Sequence, residues 1–336
     1  PWLEFRRVLF RSAIFRHDST SNYLELYYSF NQKDLTIQSN DTMMFVEGIL
    51  KVIIMDSSEE NIFVDREWRV RGTHKDTTDL YKSLIGQIGF LLPEGTYRAI
   101  VGGKDGVDTS FSRFYSELFR VNIYPKNRLS ISDLQIASRI VQESPNVNSI
   151  FYKNSLEITP LPSSIFGINQ PVLFYYTELY NLLLKENPDP YKITTVVLNS
   201  RGRVIYNRTK KILPNVDSRV EMGAITLTKY PTDTYSLVVS LIDSAANYNV
   251  SSFKKFFVYN PDIIDSTTFA SSSRDFLSSQ FGVMSVEECD EIFEKSKYIA
   301  TTADIAKYLE LTAVEAKREF LFNFWSNRDE PFQADD

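Results

Sequence analysis

The chain has few of the residues that most often build disulfide, metal or catalytic sites. Its 336 residues include one cysteine, Cys289, and two histidines, His17 and His74. A single cysteine excludes a disulfide framework within the chain, and two separated histidines lack the further ligands that a zinc site requires. Sequence patterns typical of zinc proteases, serine hydrolases and phosphate-binding loops are also missing. We therefore expect no cofactor, no metal and no enzymatic activity in this chain.

Long apolar runs and a surplus of positive charge are absent as well. No stretch of about 18 apolar residues occurs, so the sequence predicts no transmembrane segment. The formal net charge is −6, and residues 283–336 carry 13 acidic and 6 basic residues, so most of the imbalance lies in that segment. Because no basic stripe is present, binding of nucleic acid is disfavoured.

The most informative feature that is present is a pattern that occurs twice. An aromatic residue follows a turn and begins an apolar strand, which closes on an aspartate eight residues later. The two copies are Tyr97 with Asp105 and Tyr235 with Asp243. Each copy then leads into a further strand and a proline. A repeat of this size predicts two similar all-β modules in tandem.

The repeated residues are interpreted as structural. A tyrosine just after a turn is typical of a tyrosine corner, in which the hydroxyl bonds to a nearby backbone carbonyl, and this is favoured over stacking on a ligand. Asp105 could bind Ca²⁺ together with Asp108. Asp243 repeats the position without a second nearby acid, so a carboxylate that accepts backbone hydrogen bonds in a turn is favoured.

The strand and turn spacing predicts a mainly β fold. We expect two tandem Ig-like antiparallel β-sandwich domains followed by a short α-helical segment. The predicted units are a first β-sandwich at 13–128, a connector at 129–149, a second β-sandwich at 150–261, a Ser/Thr-rich linker at 262–282 and the helical start of a truncated C-terminal domain at 283–336. Within the connector, residues 129–140 could form a short helix capped by Ser132 or an edge strand.

Residues 1–12 are excluded from this assignment. The run Leu3–Ser12 matches the translation of a common short-read sequencing adapter, residue for residue over ten positions. The alternative is a basic amphipathic leader. We expect the segment to be an artefact that takes no part in the fold.

The helical segment carries a candidate interaction face. Capping boxes begin at Ser285 and at Thr312, each with a glutamate three residues later, so helices are predicted after both. The helix predicted after Thr312 presents four large apolar residues on one face. We expect this face to be uncovered in this chain and to bind the protein's own C-terminal domain beyond residue 336. These residues are Phe320, Leu321, Phe324 and Trp325.

This helix also carries a family likeness. The run Phe320–Pro331 resembles the region just upstream of the GWxTD domain, a bacterial family named for a Gly-Trp-x-Thr-Asp motif. The family's phrase is roughly Phe-Trp-x-x-Arg-Asp-x-x-Pro. Trp325, Arg328 and Asp329 match it, and Pro331 comes one residue early.

Two other segments extend the resemblance. Residues 130–137 are similar to the family's connector between β-modules, and residues 27–30 are similar to its first strand, so the likeness covers about residues 13–336. The Gly-Trp-x-Thr-Asp motif itself is absent. The resemblance implies a protein from Bacteroidetes, Ignavibacteria or related bacteria that lies in the cell envelope, periplasmic or at the surface, and it implies that the chain is a fragment at both ends.

Three functions follow as hypotheses. The first is a non-enzymatic envelope protein whose β-sandwiches bind or scaffold, with other envelope proteins as partners. The second is an accessory region of an envelope enzyme whose catalytic domain lies outside this sequence. The third is a carbohydrate-binding β-sandwich, in which surface aromatics such as Trp68 stack on sugars.

Overall fold

A computed structural model describes most of the chain. The described residues are 8–39, 43–74, 82–108, 112–185, 189–261, 263, 284–297, 300 and 302–326. They form a mainly β protein with several antiparallel sheets and a few short helices near the C-terminal end, which confirms the predicted fold class at this level.

Residues 8–121 form the first module. Its strands are β1 (Val8–Arg16), β2 (Ser21–Asn31), β3 (Gln38–Ser39), β4 (Met44–Asp56), β5 (Ile62–His74), β6 (Ser83–Pro93), β7 (Gly95–Asp105) and β8 (Ser112–Val121). One sheet has the order β1-β2-β6. The other has the order β5-β4-β7-β8, with the short β3 also paired to β4.

The two sheets of the first module share one hydrophobic core. Alternate residues of β2 point into it, as the apolar pattern from Tyr23 to Phe30 predicts: Leu24 and Phe30 are almost fully buried. They pack against Leu50 and Val52 of β4 from the opposite sheet. The module is therefore a β-sandwich-like pair of antiparallel sheets.

Residues 129–259 form the second module. Its strands are β9 (Ser130–Ile131), β10 (Gln135–Gln142), β11 (Tyr152–Lys153), β12 (Leu156–Pro160), β13 (Ile165–Gly167), β14 (Val172–Tyr180), β15 (Tyr191–Leu198), β16 (Val204–Ile212), β17 (Arg219–Thr226), β18 (Asp233–Asp243) and β19 (Tyr248–Tyr259). One sheet has the order β11-β12-β10-β14-β17, with β9 beside β14, and the other has the order β13-β19-β18-β15-β16.

The second module repeats the strand arrangement of the first. The central strands β10-β14-β17 correspond to β1-β2-β6, and β16-β15-β18-β19 correspond to β5-β4-β7-β8. The additions are β11 and β12 at one edge and the short β13, which runs parallel to β19. Leu173 and Leu237, from opposite sheets, meet in the core.

Two predicted boundaries are wrong. The first module does not start at residue 13, because β1 pairs with β2 from Val8 onward and Phe10 packs against the core. The origin of residues 3–12 in an adapter stays a prediction, since pairing does not reveal where a sequence comes from. Nor is 129–149 a connector: β9 and β10 lie within it and pair with β14 and β12 of the second module.

Three helices follow, α1 (Val286–Ser296), α2 (Thr302–Leu309) and α3 (Val314–Ser326). The capping box at Ser285 is confirmed: its hydroxyl accepts from the Glu288 N–H, and the Glu288 carboxylate accepts from the Ser285 N–H. No helix among the described residues is both long and apolar enough to cross a membrane. Of the predicted linker 262–282, only Ile263 lies within the described residues.

Candidate functional site: the junction between the two modules

The repeated tyrosines occupy corresponding places in the two modules. Tyr97 lies near the start of β7, and its hydroxyl donates to the carbonyl of Pro93 at 3.0 Å. Tyr235 lies near the start of β18 and donates to Pro231 at 2.9 Å. Both rings are buried, and the bond runs to the carbonyl four residues earlier in each case. This is the contact that a tyrosine corner requires.

The repeated aspartates close the loops that follow these strands. Asp105 accepts the N–H groups of Val107 at 2.7 Å and Asp108 at 3.1 Å. Asp243 accepts the corresponding N–H groups two and three residues later, at 3.1 and 3.0 Å. Each carboxylate thus holds its own loop, as the structural interpretation predicts. Among the described residues no group of three potential metal ligands clusters.

The candidate interaction face on α3 is partly covered by the other helices. Leu321 is 0% exposed and Phe324 is 3% exposed, and both belong to a cluster with residues of α1 and α2. Phe320 and Trp325 are half-buried against the same cluster. The prediction that this face is open is therefore wrong for Leu321 and Phe324. Arg328, Asp329 and Pro331 of the family phrase lie outside the described residues.

Trp68 does not form an open platform for a sugar. Its ring packs against the core of the first module and meets Phe90 edge-to-face, with 6.1 Å between ring centroids. Trp68, the aromatic given as an example for sugar stacking, is therefore half-buried, and the carbohydrate hypothesis itself stays a prediction.

A set of enclosed charged and polar groups lies where the two modules meet. The outer face of β1 and β2 packs on the outer face of the sheet that contains β10, β12 and β14. An apolar cluster fills the contact with side chains from both modules, and its buried members are Ala13, Phe15, Tyr27, Ala137, Leu156, Ile158 and Tyr176. We call this contact, with the polar groups around it, the junction.

The junction closes the free edge of β1. Ile14 pairs with Asp133 of the second module through two bonds: its N–H donates to the Asp133 carboxylate at 2.9 Å, and its carbonyl accepts from the Asp133 N–H at 3.2 Å. The hydroxyl of Tyr124 donates to the same carbonyl at 2.9 Å. Edge strands expose unpaired backbone groups, so these contacts remove a pairing surface.

Side chains of the second module satisfy two further groups on this edge. The Lys254 ammonium donates to the carbonyl of Ser12 at 2.8 Å, and the N–H of Arg16 donates to the hydroxyl of Tyr180 at 3.0 Å. The Arg16 guanidinium lies 4.3 Å from the centre of the Tyr180 ring. The contacts at residues 12, 14 and 16 follow the two-residue period of a strand. The second module therefore bonds the backbone of β1 at the positions that a neighbouring strand would use.

A buried ion pair crosses the junction. The ammonium of Lys153, in β11, lies 2.7 Å from the Glu25 carboxylate of β2. Their side chains are 16% and 4% exposed. The hydroxyl of Tyr27 donates to the same carboxylate. The ammonium also lies 3.8 Å from the centre of the Phe15 ring and 4.4 Å from that of Tyr176, so two aromatic faces complete its surroundings.

A second polar group extends from this pair along β14. The Glu178 carboxylate accepts from the hydroxyls of Tyr176 and Tyr180, the latter at 2.7 Å. The side-chain amide of Asn154 donates to Glu178 at 3.1 Å and to Tyr176 at 2.5 Å. Burial raises the pKa of both tyrosines, and the nearby Glu178 charge adds to the effect. The hydroxyls therefore stay protonated and serve as donors.

Burial in the junction shifts the pKa of three charged groups toward the neutral form, and a partner of opposite charge opposes each shift. Burial lowers the pKa of Lys153, and Glu25 opposes this shift. Burial raises the pKa of Asp133, and Lys254 opposes it. Burial likewise lowers the pKa of Lys254 against the attraction of Asp133. Because each charge is costly to bury alone, separation of the modules would break favourable pairs and rehydrate the groups.

Sequence reasoning did not find the junction. Glu25 and Tyr27 alternate with the core residues of β2, and such positions normally face solvent. Lys153 and Asp133 lie in polar stretches that resemble loops. The available signal was Tyr27 itself, a large aromatic at an outward position, together with the apolar residues at 136 and 137 in the supposed connector.

Comparisons with known proteins find no matching family model and no matching curated protein. The solved structures that are similar to this chain include three with low TM-scores. Two are structures of the β-glucuronidase of Parabacteroides merdae, at 10% and 12% identity with TM-scores of 0.23 and 0.24, each covering 70% of this chain and 28% of that one. The third is red sea bream transglutaminase, at 9% identity and a TM-score of 0.20, covering 74% and 31%.

These similarities carry no argument about fold or activity, because all three TM-scores are far below 0.5. The chain spans less than a third of the length of each of these proteins.

Proposed function

We propose that this chain is a non-enzymatic scaffold, in which two Ig-like β-sandwiches are held at a fixed angle so that surfaces on both can be presented together. The Ig-like assignment is supported by the strands common to both modules, three in one sheet facing four in the other, and by a tyrosine corner in each.

The observation that carries the proposal is the junction. Tandem modules on a flexible tether need few contacts between them, and relative motion is the default for small polar interfaces. This chain instead buries the Glu25–Lys153 pair and seven apolar side chains between its modules. It also bonds the backbone of β1 at residues 12, 14 and 16, along the free edge of that strand. Rigid coupling is the property that such contacts supply.

The setting that we propose is a bacterial cell envelope, and the proposed family is that of GWxTD proteins. The support is the sequence phrase around Trp325 and the segments at 27–30 and 130–137. A C-terminal domain beyond residue 336 is the proposed partner of the helical unit. Its contact surface would be the half-buried Phe320 and Trp325, since Leu321 and Phe324 are already packed within the helices.

The proposal is tested by the distance between the modules. Spin labels at Arg66→Cys in β5 and Lys229→Cys, both exposed, would report it in a Cys289→Ala background. We expect one narrow distance distribution. Lys153→Ala should broaden it, because Glu25 is then buried without its cation.

The matched control for this experiment lies inside one module. Lys210 of β16 pairs with the buried Glu221 of β17 at 2.8 Å, so Lys210→Ala removes the same kind of partner away from the junction. The distribution should stay narrow in that variant. A broad distribution in the unsubstituted chain would contradict rigid coupling and with it the proposed function.

A further inference from the structure

The first module has a second edge strand, β6, at the opposite side of the β1-β2-β6 sheet. Along β6, alternate backbone N–H and C=O groups point away from β2. Such a row is a template for pairing with another strand. The edge of β1 is closed by the second module, as described above, whereas no described strand pairs with the outer side of β6.

The composition of β6 sets it apart from the other long edge strands. Its eleven residues, Ser83–Pro93, include no Lys, Arg, Asp, Glu or His. The edge strands β5, β8, β16 and β17 all carry charges; β5, for example, contains Asp65, Arg66 and Glu67 in succession. Charged side chains are a usual means by which edges avoid pairing, so β6 alone among these strands lacks that protection.

The geometry of β6 also suits pairing. Its register with β2 runs without a bulge from Ser21 opposite Pro93 to Asn31 opposite Ser83. Bulges interrupt edges, and this edge has none among the described pairs. Pro93 lacks an N–H and limits the pairing to the residues before it. A regular stretch of about ten residues is therefore presented.

We propose that β6 pairs antiparallel with β6 of a second copy of this chain, with Ile88 on the two-fold axis. The two β1-β2-β6 sheets would then join into one six-stranded sheet. This inference does not depend on the proposed scaffold function.

The choice of a second copy rests on how β6 complements itself. With Ile88 opposite its own counterpart, core-facing residues meet core-facing residues and outer residues meet outer residues. On the core face Phe90 comes opposite Gly86, which the Tyr28 ring covers, so an aromatic ring meets an aromatic ring there. On the outer face Gln87 comes opposite Gly89, which the Tyr23 ring covers. No two charges meet anywhere along the pair. A symmetric, isologous contact of this kind closes on a dimer and does not propagate into a filament.

The test is sedimentation velocity of the full chain with charged variants at Gln87, which lies on the outer face and is half-buried. We expect a concentration-dependent dimer for the unsubstituted chain. Gln87→Lys and Gln87→Glu should each weaken it at least tenfold, because the two copies of residue 87 become diagonal neighbours across the axis, roughly 7–8 Å apart. An equimolar mixture of the two variants should restore the dimer, because the charges are then opposite.

The matched controls are Asn207→Lys and Asn207→Glu, at an exposed position of the edge strand β16. They should leave dimerisation unchanged. Thermal melts of all four variants report whether folding is intact. A chain that stays monomeric at several hundred micromolar overturns the proposal. So does failure of the mixture to restore the dimer when the variants are folded, equal sensitivity at Asn207, or a monomer whose β6 binds only foreign extended peptides.

Discussion

In the first module the carboxylate that ends β7 is held by uncharged groups, namely backbone N–H groups and the Thr36 side chain, whereas its counterpart in the second module also binds a lysine ammonium. Asp105 accepts from Val107, Asp108 and, on its other oxygen, the N–H of Thr36. Asp243 accepts two N–H groups of its own loop and the ammonium of Lys185 at 2.8 Å. A carboxylate that closes its own loop through Oδ1 is thus common to both modules. The partner of the second oxygen, Oδ2, differs: it is Thr36 for Asp105 and Lys185 for Asp243.

A second comparison concerns ion pairs with a buried glutamate. Glu25 and Lys153 belong to different modules, and both are largely buried. Glu221 and Lys210 belong to the same module, and Lys210 is 38% exposed. Water can reach the second lysine much more easily than the first. Of these two pairs, the one between the modules is the more enclosed, so loss of one partner should cost more there than within a module.

The largest expected effect is that of Lys153→Ala. Loss of the cation leaves Glu25 buried and unpaired, which should lower the free energy of unfolding by about 3–5 kcal/mol. Lys210→Ala should cost less, about 1–2 kcal/mol, because solvent already weakens the attraction between the 38% exposed Lys210 ammonium and Glu221, and water can enter where the lysine side chain is removed. Urea unfolding of both variants checks the comparison. Equal losses would show that the junction pair has no special environment.

The next largest effect is a difference in the stability lost when each of the two loop-closing aspartates is replaced by alanine. Asp105→Ala leaves three backbone N–H groups without their acceptor and should cost roughly 2–4 kcal/mol. Asp243→Ala leaves two, while the exposed Lys185 returns to water, so the cost should be roughly 1–2 kcal/mol. Chemical denaturation followed by hydrogen exchange in each module provides the measurement. A larger loss for Asp243→Ala would reverse our account of the comparison.

The same aspartates predict how stability depends on pH. Burial alone would raise the pKa of Asp105, but the N–H groups of Val107 and Thr36 outweigh it and lower the pKa. The Lys185 ammonium lowers the pKa of Asp243. The resulting stabilisation is complete above the unfolded-state pKa of 3.8 and is lost as the pH falls through the folded-state values. Asp105→Asn and Asp243→Asn should therefore lose less stability than the unsubstituted chain between pH 5 and pH 3, as unfolding free energies across that range will show.

The smallest expected effect is the loss of stability when the hydroxyl of either tyrosine corner is removed, and it should be equal in the two modules. Tyr97→Phe and Tyr235→Phe each remove a hydroxyl that bonds a proline carbonyl at the same separation. Each should cost about 1 kcal/mol. Both rings stay stacked on a phenylalanine, Phe119 or Phe256, at 5.7 and 5.6 Å. Thermal melts that differ strongly between the two variants would indicate that the corners are not equivalent.

The features that could be predicted from the sequence are those whose residues lie close together along the chain. The Tyr97 and Tyr235 corners and the Ser285 capping box involve residues three or four apart, so their chemistry is visible along the chain. The core face of β2 was also visible, because alternation alone decides which residues point inward.

The sequence did not predict what depends on distant contacts. Glu25 and Lys153 are separated by 128 residues, and nothing near either residue marks the partner. The segment 129–149 reads as a connector because Ser130, Ser132 and Asp133 favour loops locally. Packing of the first module against β10 and β14 gives these residues a place in the fold. Such tertiary contacts override local preference, and the chain provides no local signal for them.

The central claim is that the two modules turn as one body, and nitrogen-15 relaxation of the deuterated chain tests it most directly. The account predicts a single rotational correlation time for residues 8–121 and 129–259, with no slow exchange at Glu25 or Lys153. Two different and shorter correlation times, one for each module, would contradict it.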